Sequence, residues 1–294
     1  MIVFYACLIR ITINKNTKGT SMTKGRLTIA GCGLHPGHMT LETQSLIQTA
    51  EVVLLVAPNP LSIQHILQLN PNTEHLGRFY TMGYSRPEIY RQMAKRIIEL
   101  VTEGKDVCTV FYGHPGVFVS STRMASRVLK PLGHQVRMLP GISADACLYA
   151  DLDLDPADTG CQSYESTRFL LTRRQVDTSA ALILWQIGLT GEHSMDHFKP
   201  GEKGLDALTQ LLLQSYPTDH QVCLYEAPIF AGFEPKRDWV TLAELPKAEV
   251  NTVTTLYVPA CKTPEFAEDR LTWLGLTEQD IHHWDEYEEV ESES

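Results

Sequence analysis

The sequence predicts an α/β fold made of two α/β domains. The chain has 294 residues, and about 150 residues is a common domain size. From Arg26 onward, short apolar runs that predict strands alternate with amphipathic segments that predict helices. This β-α-β-α order is typical of a mainly parallel sheet with helices on both faces.

The predicted elements follow from hydrophobic spacing and from the residues that interrupt it. In 86–103 the apolar residues fall close to helical spacing, and Gly104 ends that helix. Strands are predicted at 26–32, 51–57, 106–113, 134–140, 181–188, 221–228 and 253–259. Further helices are predicted at 41–50, 121–132, 164–170 and 203–215.

Breaks in composition predict the domain boundaries. Pro140-Gly141 and the Asp-rich stretch at 151–158 separate the two domains, and the chain ends in an acidic stretch. An apolar octet and a polar linker precede Met22, where we expect the functional chain to begin. The predicted organisation is a dispensable leader (1–21), an N-terminal domain (22–140), a C-terminal domain (141–262) and a C-terminal helix with an acidic tail (263–294).

Composition excludes several classes of protein. A net charge of −10 argues against a nucleic-acid binder, which needs a basic surface. The apolar stretch at 2–9 is too short to cross a membrane. The seven cysteines form no CxxC pair, which is typical of reduced thiols in a cytoplasmic protein. Glu192, His193 and His197 do not follow the HExxH order, so we interpret them as a helix-surface or loop set and predict no metal site.

Three glycine-containing turns are the candidate ligand-binding segments. They are GCGLHPG (31–37), VFYGHPGVFVS (110–120) and LPGISADACLYADL (139–152), and each follows a predicted strand. Open α/β sheets bind ligands at the carboxyl ends of their strands. Pro36 replaces the third glycine of a dinucleotide fingerprint, which argues against that ligand. Spacing alone leaves open that these are plain connecting turns, with His114 in a satisfied polar contact.

Together these motifs resemble the tetrapyrrole methylase superfamily of S-adenosylmethionine (SAM)-dependent methyltransferases, and within it the borosin peptide α-N-methyltransferases. The resemblance extends from Arg26 to Pro259. The additional matching motifs are FYxxxxxSRxxxYxQM (79–93), RMLPGISA (137–144), ADLxxDP (150–156), LWQIG (184–188) and TTxxxVP (254–259). His38 stands where many members of the superfamily carry an acid, which disfavours a tetrapyrrole substrate.

The resemblance implies a SAM cleft between two α/β domains, a homodimer, and specific site residues. The implied catalytic residues are Arg86, Tyr90, Tyr112 and Tyr80. The implied SAM-binding residues are His114, Val117, Ser143, Ala144, Gln186, Ala227, Thr254 and Thr255. The residues after Pro259 lack an apolar, β-branched segment that could serve as an attached substrate. We therefore expect a precursor peptide supplied in trans, whose identity and methylation positions the sequence leaves open.

The chemistry of amide methylation explains why such residues are needed. The amide nitrogen shares its lone pair with the carbonyl group and is a poor nucleophile. A free tyrosine has a pKa of about 10, so a phenolate base needs a nearby cation; Arg86 could supply it or hold the amide oxygen. Arg86 and Tyr90 are four residues apart and share a helix face. Spacing alone favours packing aromatics and a surface cation, whereas the surrounding motifs favour catalysis.

Two other functions fit parts of the sequence. One is a SAM-dependent methyltransferase that acts on a tetrapyrrole or another small molecule. The other is a non-catalytic module that binds peptides in the same pocket. The arginine and tyrosine set argues against the module, because a receptor has no need of a base.

Overall fold

The computed structural model describes residues 24–192, 194, 198 and 203–281. The predicted leader and the acidic end of the tail lie outside these residues. The first part of the chain contains β1 (Arg26–Gly31), α1 (Leu41–Thr49), β2 (Val52–Val56), α2 (Pro60–Leu69), β3 (Thr73–His75), α3 (Arg86–Thr102), β4 (Asp106–Phe111), α4 (Ser120–Leu129) and β5 (Gln135–Met138). Short 3₁₀ helices cover Pro36–His38 and Leu76–Thr81.

These strands form the first sheet, in the order β3-β2-β4-β1-β5, and all neighbours are parallel. Leu27 and Ile29 of β1 are completely buried, as are Val53, Leu54 and Leu55 of β2. Strands of a parallel sheet are covered on both faces, so their sequences are apolar throughout. The prediction of a parallel sheet is confirmed.

Helices cover both faces of the first sheet, as predicted. On one face, Ile97 of α3 and Leu129 of α4 belong to the same apolar cluster as Leu27. On the other face, Ile47 of α1 and Ile66 of α2 pack in a second cluster that contains strand residues of β2 and β4. The sheet is therefore buried between two helical layers.

The rest of the chain builds a second sheet. Its elements are α5 (Ala144–Asp151), β6 (Cys161–Glu165), α6 (Ser166–Leu171), β7 (Ala181–Trp185), α7 (Gly204–Leu212), β8 (Gln221–Glu226), β9 (Lys236–Thr241), β10 (Thr255–Val258) and α8 (Glu268–Leu274). Short 3₁₀ helices cover Ile187–Leu189, Leu245–Lys247 and Glu278–Asp280.

The second sheet is mixed, with the order β6-β7-β10-β8-β9. Only β6 and β7 are parallel among its pairs in the described residues; the other neighbours are antiparallel. The three predicted strands form its centre. The strand predicted at 181–188 is too long, because it ends at Trp185 and Gln186 adopts left-handed backbone angles. The edge strands β6 and β9 were not predicted, since polar residues interrupt their apolar pattern.

Helix α5 connects the two sheets. It begins at Ala144, directly after the loop that leaves β5, and Leu148 packs against Ile183 and Cys223 of the second sheet. At its other end, the buried Tyr225 hydroxyl donates a 2.6 Å hydrogen bond to Asp151. The helix thus starts at the edge of one sheet and is anchored on the face of the other.

Tyr225→Phe is expected to destabilise the fold by about 1–3 kcal/mol, because it leaves a partly buried Asp151 oxygen without this donor. Tyr216→Phe is the matched control. The Tyr216 hydroxyl is buried and has no hydrogen-bond partner among the described residues, so its removal should be neutral or stabilising. Urea denaturation of both variants measures the difference. Equal stabilities would show that the Tyr225–Asp151 bond contributes nothing.

Candidate active site

The three glycine turns of the sequence meet at the carboxyl edge of the first sheet. Gly113 donates a 2.9 Å backbone hydrogen bond to Gly33. A Cβ atom on Gly31 would lie 2.3 Å from the Gly113 oxygen and 3.3 Å from the Gly141 Cα. The three backbones can approach this closely only because no side chain separates them. We call Gly31, Gly113 and Gly141 the glycine cradle.

The loop after β4 has an unusual backbone. Gly113 has φ of +65°, and Phe118 has φ of +55°, which is rare for a bulky residue and is typical of functional sites. His114 Nδ1 accepts a 3.0 Å hydrogen bond from the Gly116 N–H. The satisfied polar contact considered for His114 is therefore present, and it shapes the turn that exposes Val117.

Two histidines stabilise the loop after β1. His35 Nδ1 accepts from the Gly37 N–H at 3.2 Å, and His38 Nδ1 accepts from the Leu34 N–H at 3.4 Å. Their rings are 3.7 Å apart between centroids. Burial lowers the pKa of both histidines, and for His38 the neighbouring His35 lowers it further. Both rings are thus held in the neutral form that accepts these bonds.

The SAM-binding residues predicted in the second half also share one edge. Gln186 follows β7 and Ala227 follows β8. Thr254 and Thr255 stand at the start of β10, which is antiparallel to both strands and so begins where they end. Gln186 has φ of 58° and ψ of 44°, a strained conformation for a residue other than glycine.

Glu226 organises this second edge, and the sequence did not identify it. Its Oε1 accepts hydrogen bonds from the Thr254 hydroxyl at 2.6 Å and from the Asn251 side chain at 2.8 Å. The Lys236 ammonium is 3.6 Å away. The only sequence signal was an acid at the end of a strand, next to Ala227.

Contacts between loops bring the two edges face to face. Asn59, which caps α2, donates a hydrogen bond to the Ile229 carbonyl in the loop after β8. Arg86, the first residue of α3, forms an ion pair of 2.5 Å with Glu192, in the segment after β7. The two edges that carry the predicted SAM-binding residues are therefore joined by contacts between their loops.

The four predicted catalytic residues lie close together. Arg86 and Tyr90 are on the first turns of α3, Tyr80 is in the preceding 3₁₀ helix, and Tyr112 directly follows β4. The guanidinium of Arg86 lies 5.0 Å from the centre of the Phe198 ring. The Tyr80 and Phe198 rings are in edge contact, with centroids 6.0 Å apart. We call Tyr80, Arg86, Tyr90 and Tyr112 the arginine–tyrosine cluster.

The environment of the cluster favours neutral phenols. The part of each side chain that is buried raises the pKa of Tyr80, Tyr90 and Tyr112, although the Tyr80 and Tyr112 residues remain partly exposed. Nearby phenols raise the pKa values of Tyr80 and Tyr112 further, because two phenolates in close proximity repel each other. Arg86 lowers the pKa of Tyr90, but by less than burial raises it. The phenolate that Arg86 was expected to favour is therefore not the resting form.

Glu192 is a site residue that sequence reasoning misinterpreted. It was expected to lie on a helix surface or loop with His193 and His197. Its side chain is only 8% exposed, and that of its partner Arg86 is 12% exposed. Glu192 does lie in a loop, but its side chain is buried against Arg86 and not on the surface, and both histidines lie outside the described residues. Phe198, which contacts Arg86 and Tyr80, was also missed.

Neither a metal site nor a membrane-spanning helix is present in the described part of the chain. No group of three or more His, Cys, Asp or Glu residues could hold a metal ion. No helix is both long and apolar enough to cross a bilayer.

Comparison with known proteins identifies the family. A family model described as Tetrapyrrole (Corrin/Porphyrin) Methylases matches residues 26–245. The chain belongs to the tetrapyrrole methylase family. Its fold matches a uroporphyrin-III-C-methyltransferase from Thermus thermophilus, with a TM-score of 0.57, 20% identity, and coverage of 81% of this chain and 93% of the other. Tetrapyrrole methylases and their methyltransferase relatives use SAM as methyl donor, which is the cofactor predicted from the sequence.

The chain is also similar to proteins whose names join a methyltransferase to a cyclic peptide precursor. It is 36% identical over 266 residues to a methyltransferase/ribosomally synthesized cyclic peptide gymnopeptides precursor of Gymnopus fusipes, covering 89% of this chain and 63% of the relative. It is 37% identical over 245 residues to the corresponding omphalotin A precursor of Omphalotus olearius, covering 82% and 59%. The chain spans about three-fifths of the length of these relatives.

The glycine cradle fits the cofactor that this family uses. SAM carries no phosphate, so its loops need no helix N-terminus for an anion. The glycine cradle brings three backbones together without side chains, which leaves the neighbouring groups free to contact a flat ligand.

Proposed function

We propose that this chain transfers methyl groups from SAM to backbone amide nitrogens of a peptide. The observation that carries the proposal is the arginine–tyrosine cluster, which lies at the cleft beside the glycine cradle. The fungal relatives, named as methyltransferases joined to cyclic peptide precursors, support a peptide as substrate. We also propose that the eight residues implied by the resemblance, four on each edge of the cleft, hold the cofactor.

SAM, when bound, supplies a methyl group attached to a positively charged sulfur. The protein must make the amide nitrogen able to attack that group. The neutral hydroxyls of Tyr80 and Tyr90 donate hydrogen bonds to the amide oxygen, and the adjacent Arg86 stabilises the negative charge that develops there. As charge moves to oxygen, the N–H proton becomes more acidic. Tyr112 is half-exposed, so the released proton has a path to solvent on that side.

Deuterated methyl transfer tests the proposal. The purified chain is incubated with SAM carrying a CD₃ group and, separately, with two substrates. One is the peptide encoded by a short neighbouring reading frame with an apolar C-terminal stretch; the other is uroporphyrinogen III. Fragmentation mass spectrometry is expected to place CD₃ on backbone nitrogens of the peptide. Label on side chains would contradict amide methylation, and label on the tetrapyrrole alone would support the small-molecule alternative.

The same experiment examines where the peptide comes from. The relatives carry their precursor in the same chain, whereas we propose that this chain acts on a separate one. CD₃ on the added peptide, and none on the enzyme, is the expected pattern. Homodimerisation, cytoplasmic location, the domain boundaries and the dispensable leader stay predictions from the sequence.

A further inference from the structure

A buried ion pair joins the arginine–tyrosine cluster to the opposite half of the chain. Arg86 begins α3, which packs on one face of the first sheet, whereas Glu192 follows the strand β7 of the second sheet. The Arg86 Nη2 and Glu192 Oε2 atoms are 2.5 Å apart. Both side chains are largely buried. A charge-assisted bond of this kind is short and directional, so it restricts the guanidinium as well as neutralising it.

Arg86 is held from a second side by the same segment. The ring of Phe198 stacks near the guanidinium at 5.0 Å and also contacts Tyr80. A guanidinium is planar, and its donors point in fixed directions within that plane. The Glu192 carboxylate lies at one edge of the guanidinium, and the Phe198 ring lies over its face. Together they fix the plane of the guanidinium and therefore the directions in which Arg86 can donate hydrogen bonds.

We propose that Glu192 is a positioning residue for methyl transfer, whose carboxylate holds the Arg86 guanidinium in one orientation within the cluster. The inference rests on the proposed function. It also assigns the segment after β7 a role in catalysis, because that segment carries both groups that hold Arg86. Glu192 acts on the peptide through Arg86 and needs no contact with it.

The pair also explains why the phenols of the cluster stay neutral. An unpaired cation beside Tyr90 would favour its ionised form. Glu192 offsets part of the positive charge of Arg86, and burial raises the pKa of Tyr90 by more than Arg86 lowers it. The hydroxyls therefore remain hydrogen-bond donors, as the proposed stabilisation of the amide oxygen requires.

The test is a double-mutant cycle on the rate of peptide methylation. Glu192→Gln removes the charge but keeps the shape, and it is expected to lower kcat by about 10²-fold, the effect of misplacing a catalytic group. The affinity for SAM and the KM for the peptide should change little. In an Arg86→Lys background, Glu192→Gln should have almost no further effect, because a residue that acts through Arg86 cannot act once Arg86 is replaced.

Glu74→Gln is the matched control. Glu74, in β3, forms an ion pair of 2.8 Å with Arg96, which is on α3 like Arg86 but lies outside the arginine–tyrosine cluster. This control variant should leave kcat unchanged in both backgrounds, at the wild-type value in one and at the Arg86→Lys value in the other. If Glu192→Gln no longer binds SAM, Glu192→Asp replaces it: this variant keeps the charge but withdraws the carboxylate from Arg86, and it should also lower kcat.

Two results would overturn the positioning role. One is wild-type kcat in the Glu192 variants, and the other is an equal loss with and without Arg86, as for a purely structural residue. In either case the wild-type chain still methylates the peptide, so the proposed function is not contradicted. If the wild-type chain methylates no peptide amide, the proposed function fails and the inference fails with it.

Discussion

Tyr90→Phe is expected to slow peptide methylation by roughly 10²–10³-fold, the usual effect of removing one donor that stabilises a developing negative charge on oxygen. The change deletes one hydroxyl and keeps the ring, which packs against the core of the first sheet. Folding and SAM affinity should therefore be preserved. The loss should be in kcat rather than KM, because the hydroxyl acts on charge that develops only in the transition state.

The measurement is single-turnover methyl transfer, with SAM affinity determined by calorimetry. Tyr84→Phe is the control, because Tyr84 is an exposed tyrosine just before α3 and should retain full activity. Arg86→Lys keeps a positive charge but loses the planar fork, so it should impair kcat as well. Near-normal rates in both Tyr90→Phe and Arg86→Lys would remove the arginine–tyrosine cluster from the mechanism.

Gly31→Ala is expected to disrupt the glycine cradle. Its Cβ would lie 2.3 Å from the Gly113 oxygen and 2.9 Å from the Pro115 Cδ. Both neighbours belong to a constrained turn and cannot move aside without displacing the loop. Overpacking of this kind costs about 1–3 kcal/mol, which corresponds to a factor of roughly 5–150 in SAM affinity if the loop absorbs the whole cost.

Gly37→Ala provides the comparison within the same motif. The atoms nearest to its Cβ position belong to the His35 ring, at 3.1 Å, and a side chain can rotate away. Calorimetry with SAM should show a large loss of affinity for Gly31→Ala and a small one for Gly37→Ala. Wild-type affinity in Gly31→Ala would show that the contact of the three loops is unimportant for the cofactor.

The sequence predicted the elements whose signal is local. Apolar runs identified the central strands of both sheets, and helical spacing placed Arg86 and Tyr90 on one helix. The missed edge strands β6 and β9 carry exposed polar residues, so their pairing depends on neighbours rather than on pattern. Helix α2 was also missed, although Asn59 and Pro60 form a typical helix start.

The site was predicted only in part, for a related reason. The glycine turns and the cluster were identified through motifs, each contained within a short stretch of sequence. The Arg86–Glu192 pair joins residues 106 positions apart, and no spacing rule connects them. The neutral form of the Tyr90 phenol could not be predicted from the sequence either. Burial raises the Tyr90 pKa and Arg86 lowers it, and which effect is larger depends on packing in three dimensions.

The strand order of the first sheet has a consequence for how the protein is made. Strands β1 and β2 are consecutive in sequence, yet β4 lies between them. During synthesis the earliest strand must therefore wait for residues near 111 before it gains its first partner, and for β5 before it gains its second. Such distant parallel pairings form slowly. The glycine cradle is assembled at the ends of β1, β4 and β5, so it can form only after all three strands have paired. The cofactor therefore has no early folding intermediate to bind.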